Sequence, residues 1–334
     1  MRLEADAMDA ARARLDRLAK PPGSLGRLED LAVQLAGLAG TCPPPTPANP
    51  AIAVFAGDHG VVASGVTPWP QDITAAMIGV FARGGAAINV FAHQVGATVY
   101  VVDVGVAGDV SAHGDVMHRK VRAGTDDLGR GPAMTVADAQ AAIDVGKDIA
   151  RELIGRGHDL LVTGDMGIGN TTSAAALIAA FTGRDAADVT GRGTGIDDAM
   201  LGRKIEIVAA AVAAAAPNVE SLALLSRLGG LEIAALAGYI VEACTARVPL
   251  VVDGVIACAA ALVADAIAPG VRDLVIAGHR STEPGASIAL AHLGLEPLVD
   301  LELRLGEGTG AALAIPLVQT AARLLTEMAT LDDL

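Results

Sequence analysis

The chain has 334 residues, 52% of them apolar and 19% charged, with a formal net charge of −14. That apolar share excludes a disordered chain, and the negative charge, with no basic stripe, excludes a nucleic-acid binder, because a phosphate backbone repels such a surface. Aromatic residues make up only 2%, so the core must be built from Ala, Val, Leu and Ile.

The first element in chain order is a helix with Leu3, Met8, Ala11, Leu15 and Leu18 at helical spacing. KPPGS ends it, since Pro21 and Pro22 cannot continue a helix. Ser24 is placed to cap the next helix, LGRLEDLAVQLAGLAG. TCPPPTPANP follows as a stiff linker and a candidate domain boundary. Beyond it, short apolar runs at 51–57, 97–105, 159–164, 249–254 and 273–278 alternate with Ala-rich helical stretches near 85–95, 135–155, 171–181, 199–215, 230–246 and 254–267. Continuous apolar strands alternating with helices predict a parallel α/β sheet covered on both faces. In such a sheet ligands bind at the carboxyl ends of the strands. These strands end in GDHG, DVG, GDMGIGNTT, DG and GHRS, and polar endings in register are expected to share one site.

Cys42, Cys244 and Cys258 are far apart and odd in number, which suits neither a disulfide framework nor a metal knuckle. Cys244 and Cys258 fall in apolar helical stretches and read as small buried thiols, as in a reducing cytoplasm. The opening MRLEADAMDAARARL has no signal-type apolar run. The longest apolar stretch, VPLVVDGVIACAAALVADAIAP, carries Asp253 and Asp265 and passes from strand to helix, so no membrane span is expected.

Four stretches can carry chemistry. In GDMGIGNTTSAAALIAAF, Gly164, Gly167 and Gly169 follow a strand, Asn170 is a candidate N-cap, and Thr171 and Thr172 open an apolar helix. Free N–H groups and the positive end of the dipole suit a phosphate there, and taken alone a plain capped turn fits equally well. TGRGTGIDD is a second glycine loop, followed by Lys204, which is either a cation for an anion held by these loops or a solvated surface lysine. GDHG puts Asp58 and His59 at a strand end without the spacing of a metal site, so a loop-fixing hydrogen bond is expected and no metal. Trp69, between Pro68 and Pro70, either stacks on a flat ring or covers core. Near the C-terminus, LRLGEGTGAALAIPLV sets Glu307 between Gly306 and Gly308. Apolar neighbours would raise its pKa, as a general base requires, whereas a plain role at a helix N-terminus would lower it.

KPPGSLGRLEDL, GDHGVVASGVTPWPQDIT, GDMGIGNTTS, RLGGLEI, PLVVDGV, PGASIALAHLGLEP and RLGEGTGAA occur in this order over nearly the whole chain. Together they resemble the nicotinate-nucleotide–dimethylbenzimidazole phosphoribosyltransferase family. The resemblance implies a Rossmann-like large domain, here 46–297, and a small all-helical domain built from both chain ends, 1–45 plus 298–334, in a homodimer. It implies transfer of the phosphoribosyl group of nicotinate mononucleotide to 5,6-dimethylbenzimidazole with inversion at C1′, with no cofactor. By motif, Glu307 becomes the general base. Gly167, Gly169, Asn170 and Thr171 would hold the phosphate, with Gly193 and Lys204, while Asp253 and Ser281 would approach the nucleotide. Trp69, Met77, Leu305 and Glu307 would form the base pocket.

One residue departs from the family pattern. Where the family usually has Glu in G-[ED]-M-G-I-G-N-T-T, this chain has Asp165, one methylene shorter. In the family this acid assists at the attacking ring, so the departure bears on which ring is accepted. Another base (adenine, a different benzimidazole, a phenol) on the same fold stays open, as does a nucleotide-binding module without turnover, although such a module has no need of Glu307. The strand–helix alternation alone also fits an NAD-dependent oxidoreductase, but the G-x-G-x-x-G signature is missing.

Overall fold

The computed structural model describes residues 1–215 and 220–334. In chain order the elements are α1 (Ala5–Arg17), α2 (Arg27–Ala39), β1 (Pro50–Gly57), α3 (Asp72–Ala82), α4 (Ala87–Val95), β2 (Thr98–Gly105), β3 (Val116–His118), α5 (Val136–Gly155), β4 (Leu160–Met166), α6 (Asn170–Thr182), α7 (Ala186–Val189), α8 (Asp198–Ala213), α9 (Ser221–Leu228), α10 (Leu231–Thr245), β5 (Leu250–Val252), α11 (Val255–Ile267), β6 (Val275–Ala277), α12 (Pro284–Leu293) and α13 (Thr309–Glu327).

All six strands pair in parallel in the order β3-β2-β1-β4-β5-β6, which is the α/β class the alternation predicts. The chain leaves the central β1 toward β2 and β3, then crosses back to place β4 on the other side of β1. The β1/β4 boundary is therefore the switch point, where the flanking connections diverge and open a crevice at the strands' carboxyl ends. Ala56 pairs with Met166 there.

Side chains alternate across each strand. Ala51, Ala53 and Phe55 of β1 join a core with α5, α6, α10, α11 and α12. Ile52, Val54 and Ala56 face the opposite way, into a core shared with α1, α2, α3, α4 and α13. The helices from the two chain ends thus meet each other and cover one face of the sheet, sharing a single apolar cluster with it.

Five elements escaped the sequence pattern for identifiable reasons, among them α7 with its four residues. β3 spans only three residues. α3, DITAAMIGVFA, is apolar nearly all round and shows no helical stripe. α9 is short, at eight residues. α12 opens with Pro284 in its first turn, a start signal that was present in the sequence. The Ser24 cap is a correction: α2 begins at Arg27, and Gly26 turns the chain into it with φ 53°. Glu29 Oε1 accepts the Leu25 N–H at 3.0 Å instead.

Low aromatic content shows most clearly where α5 meets α10. A Cβ added at Gly146 would lie 1.8 Å from Ala235 O, and one at Gly238 would lie 1.9 Å from Ile143 O. The two backbones touch because neither glycine carries a side chain. Gly238→Ala is expected to force the helices apart and to destabilise the fold by about 3 kcal/mol, more than its helix-propensity gain of about 1 kcal/mol. Chemical denaturation reads this directly, and an unchanged midpoint would contradict the packing described.

Candidate active site

At the switch point the loops after β1, β4, β5 and β6 and the segment before α13 enclose a cavity of about 420 Å³. Its walls differ from end to end. One end is apolar: Trp69, Ile73 and Met77 face Leu305, with Trp69 and Leu305 exposed at the rim. The middle carries two buried carboxyl groups, Asp165 and Glu307. The far end is the turn from β4 into α6, with Gly167, Ile168, Asn170 and Thr171 against Gly193 and Thr194.

The phosphate-suited end is built by backbone shape. Gly169 is the N-cap of α6 at φ 93°, a conformation that favours glycine. Of the first N–H groups of α6, Asn170 donates to Gly167 O at 3.1 Å and Thr172 to Gly169 O at 3.0 Å, which leaves the Thr171 N–H at the positive end of the helix dipole. Asn170 was expected to cap this helix; it is instead the first helical residue, and its Nδ2 donates to Asp165 Oδ2 at 3.0 Å. Lys204 is not a solvated surface lysine. It reaches in from α8, is 1% exposed, and donates from Nζ to Thr171 Oγ1 at 2.8 Å and Gly191 O at 3.0 Å. An adjoining small hollow is lined by Gly167, Gly169, Thr171, Gly193 and Lys204 together. Burial lowers the Lys204 pKa to about 8, with the nearby Glu283 carboxylate opposing the drop.

The Glu307 loop is set by three consecutive left-handed residues, Gly306 at φ 84°, Glu307 at φ 63° and Gly308 at φ 93°. A left-handed conformation is uncommon for a residue with a side chain and is held here by its surroundings. The glycines do different work from each other. A Cβ at Gly306 would meet Asp165 Oδ2 at 3.2 Å inside the cavity, whereas one at Gly308 would meet Ile52 Cγ2 and Thr163 O at 3.0 Å on the sheet. Gly308 therefore serves packing against β1 and β4, and only Gly306 leaves room in the slot.

Glu307 shows both electrostatic influences weighed from the sequence. Burial raises its pKa, the Ile88 N–H at the start of α4 (3.3 Å from Oε2) opposes that, and the charge of Asp253 adds to the rise. The net direction is upward. The helix terminus it touches belongs to α4, not to the α13 that follows it. Asp165 is raised well above the usual carboxyl range, first by burial and then by Asp253 and Glu232, with Asn170 opposing. Its Oδ1 is buried with no hydrogen-bond partner among the described residues. The neighbouring Glu307 carboxyl adds to the rise at Asp165.

Asp253, expected to approach a nucleotide, stands just behind the wall residues. It is not in the cavity wall: Oδ1 accepts the Ala311 N–H at 2.8 Å and Oδ2 the Gly308 N–H at 3.2 Å. Both oxygens thus cap α13 and hold the loop that presents Glu307. Ser281 does line the cavity, and its Oγ accepts the Glu283 N–H at 3.3 Å. Sequence reasoning missed Glu283, whose Oε1 accepts the Gly193 N–H at 2.7 Å, and Arg304, whose Nη1 donates to Gly193 O at 2.8 Å. Arg304 stands three residues before Glu307 in the same motif, but Glu283 carries no local signal. His279 is a further wall residue, 3.4 Å from Asp253. Among the described residues no group of three His, Cys, Asp or Glu side chains is set to hold a metal.

A glycine-lined helix start beside a buried lysine and a carboxylate-floored apolar slot, in one cavity at the switch point of a parallel sheet, suit a ribose phosphate and a flat ring. The class is that of the phosphoribosyltransferases, whose family model matches residues 1–333. A nicotinate-nucleotide–dimethylbenzimidazole phosphoribosyltransferase from Salinispora tropica is 54% identical, covering 99% of this chain and 95% of that protein. One from Chloroflexus aggregans is 52% identical, covering 99% and 94%. The crystal structure of CobT from Thermus thermophilus superposes with a TM-score of 0.95 at 48% identity over 98% of each chain. The chain belongs to the nicotinate-nucleotide–dimethylbenzimidazole phosphoribosyltransferase family.

Proposed function

We propose that the chain transfers the 5-phosphoribosyl group of nicotinate mononucleotide to 5,6-dimethylbenzimidazole, releasing nicotinate and forming α-ribazole 5′-phosphate for the lower ligand of cobalamin. The observation that carries this reading is Glu307: a buried carboxylate of raised pKa in the same cavity as an anion cradle built on α6.

The residue roles follow from the chemistry. The cradle of Gly167, Gly169, Asn170, Thr171, Gly193 and Lys204 holds the 5′-phosphate and so fixes C1′. The ring lies between Met77 and Leu305 under Trp69. One ring nitrogen bonds to C1′ as the C1′–N bond to nicotinate breaks, and that bond's electrons return to the pyridinium nitrogen. The other ring nitrogen loses its proton to Glu307, so no cation builds up among apolar walls. The leaving ring departs relieved of its positive charge, and positioning plus one base supplies the catalysis. Attack from the slot on the face opposite the leaving group inverts C1′. The two substrates are sufficient, with no cofactor.

The short acid tunes which ring fits. Asp165→Glu extends a carboxyl one methylene into the slot beside Gly306. It is expected to shift relative kcat/KM among benzimidazoles and purines by about tenfold, the size of effect one methylene exerts in a binding pocket. The KM for the ribotide should stay unchanged. A panel of ring substrates at saturating ribotide measures this, and an identical ranking in both forms contradicts it. Release of nicotinate with none of these rings or with phenols would overturn the transferase reading.

The α3–α4 segment supports a homodimer. It forms an apolar stretch from Asp72 to Val95 of which only 33% of the most apolar window is buried, and Val90 is 67% exposed. An unpartnered apolar surface of this kind suits a second copy of the chain. Three free thiols and a charge of −14 suit a reducing cytoplasm.

A further inference from the structure

Behind the cradle lies a buried pair that the transfer chemistry does not touch. His59, just past β1, and Glu232 are both 0% exposed. His59 Nε2 is 2.7 Å from Glu232 Oε1, and its Nδ1 is 3.0 Å from Ser173 Oγ. Glu232 stands in the first turn of α10 and Ser173 in the first turn of α6. One ring therefore ties the end of β1 to the starts of two helices, one of them the helix that forms the cradle.

The ring sits directly under the cradle. A Cβ at Gly167 would lie 3.4 Å from its Cδ2 and Nε2, and one at Gly169 would lie 3.3 Å from its Cβ. On the other side a Cβ at Gly230 would fall 2.4 Å from its Cε1. Three glycines leave the ring its place.

The local charge gives the pair its sign. Asp58 Oδ1 and Glu232 Oε2 are buried with no hydrogen-bond partner among the described residues, and Asp165 lies at the end of the neighbouring strand. Glu232 beneath the cradle, left alone, would repel a phosphate above it. Burial disfavours a charged His59, but the charge and hydrogen bond of Glu232, with the charge of Asp58, together raise the imidazole pKa. An imidazolium bonded to Glu232 cancels that charge where the anion binds.

We propose that His59 is a positioning residue for the substrate's phosphate: paired to Glu232 and bonded to Ser173, it holds the start of α6 in place and cancels the buried negative charge beneath the cradle. This rests on the ribotide reading above. His59→Gln keeps a donor for Glu232 and removes the cation. Its effect must fall on the phosphate and not on the ring or the ribose.

Calorimetric binding of nicotinate mononucleotide and of the phosphate-free nicotinate riboside to the full chain separates the two. His59→Gln is expected to weaken the ribotide about 10- to 100-fold, as loss of a desolvated charge partner does, and to leave the riboside within about twofold. The double variant His59→Gln with Glu232→Gln restores electrical neutrality and is expected to recover ribotide affinity to within about fivefold of the native chain. If His59→Gln does not fold, Ser173→Ala, which keeps the ion pair and frees Nδ1, is expected to weaken the ribotide alone by about threefold, the size of one hydrogen bond. Equal weakening of both ligands, or no recovery in the double variant, overturns the proposal. Turnover of the native chain with dimethylbenzimidazole is read separately, so ribotide binding with this charge dependence but without transfer would sink the transferase reading and leave this one standing.

Discussion

Glu307→Gln is expected to bind nicotinate mononucleotide as the native chain does and to lose about 10²- to 10⁴-fold in kcat, the range a positioned general base supplies. The substitution is nearly isosteric and leaves an oxygen for the Ile88 N–H. It removes only the capacity to take a proton from the ring. The proposed phosphate site is at the other end of the cavity, where the α6 start and Lys204 line a hollow, so the ribotide's affinity is expected to be untouched. The pH profile follows from the same residue. Burial raises the Glu307 pKa, so as pH falls the base is protonated earlier than an ordinary carboxyl would be, and kcat/KM falls with it. In Glu307→Gln that acid limb disappears. Retained turnover with a retained acid limb would move the base role to Asp165, the neighbouring carboxyl.

Lys204→Ala is expected to raise the KM for the ribotide about 10- to 100-fold, matching about 1.5–3 kcal/mol for a hydrogen bond to a charged group, with kcat changed far less. The ammonium has three donors. Two are fixed on Thr171 Oγ1 and Gly191 O, leaving one for a phosphate oxygen in the adjoining hollow. With its pKa lowered to about 8, the free protein carries the cation below that pH and loses it above. The KM for the ribotide should therefore rise as pH climbs through about 8, while binding of the phosphate-free riboside stays level. Lys204→Ala should flatten that rise. A KM that climbs equally in the variant would assign the effect to another group.

Much of this site is written in local sequence. Gly167 and Gly169 after an apolar strand announce a glycine turn into a helix start, and Glu307 between two glycines announces a carboxylate in a bare loop. What local sequence cannot carry is the partner brought in from a distant element. Asp253 stands at a strand end like a ligand contact, yet its oxygens meet the N–H groups of Gly308 and Ala311, because the start of α13 packs over β5 only in the folded chain. Glu283 reaches Gly193 across a loop 90 residues away, and no spacing marks it. Gly308 meets Ile52 and Thr163, neighbours that only the folded chain brings to it. The α/β layering was readable because a parallel strand buried on both faces is apolar without interruption. β3 was not, because three residues are too few to show any period.

The most direct measurement is the proton NMR spectrum of the product formed from nicotinate mononucleotide and 5,6-dimethylbenzimidazole by the purified chain. The account predicts one equivalent of free nicotinate and an anomeric signal of the α-ribotide, from attack opposite the leaving ring. A β-linked product, or nicotinate released only with ribose 5-phosphate, would contradict it.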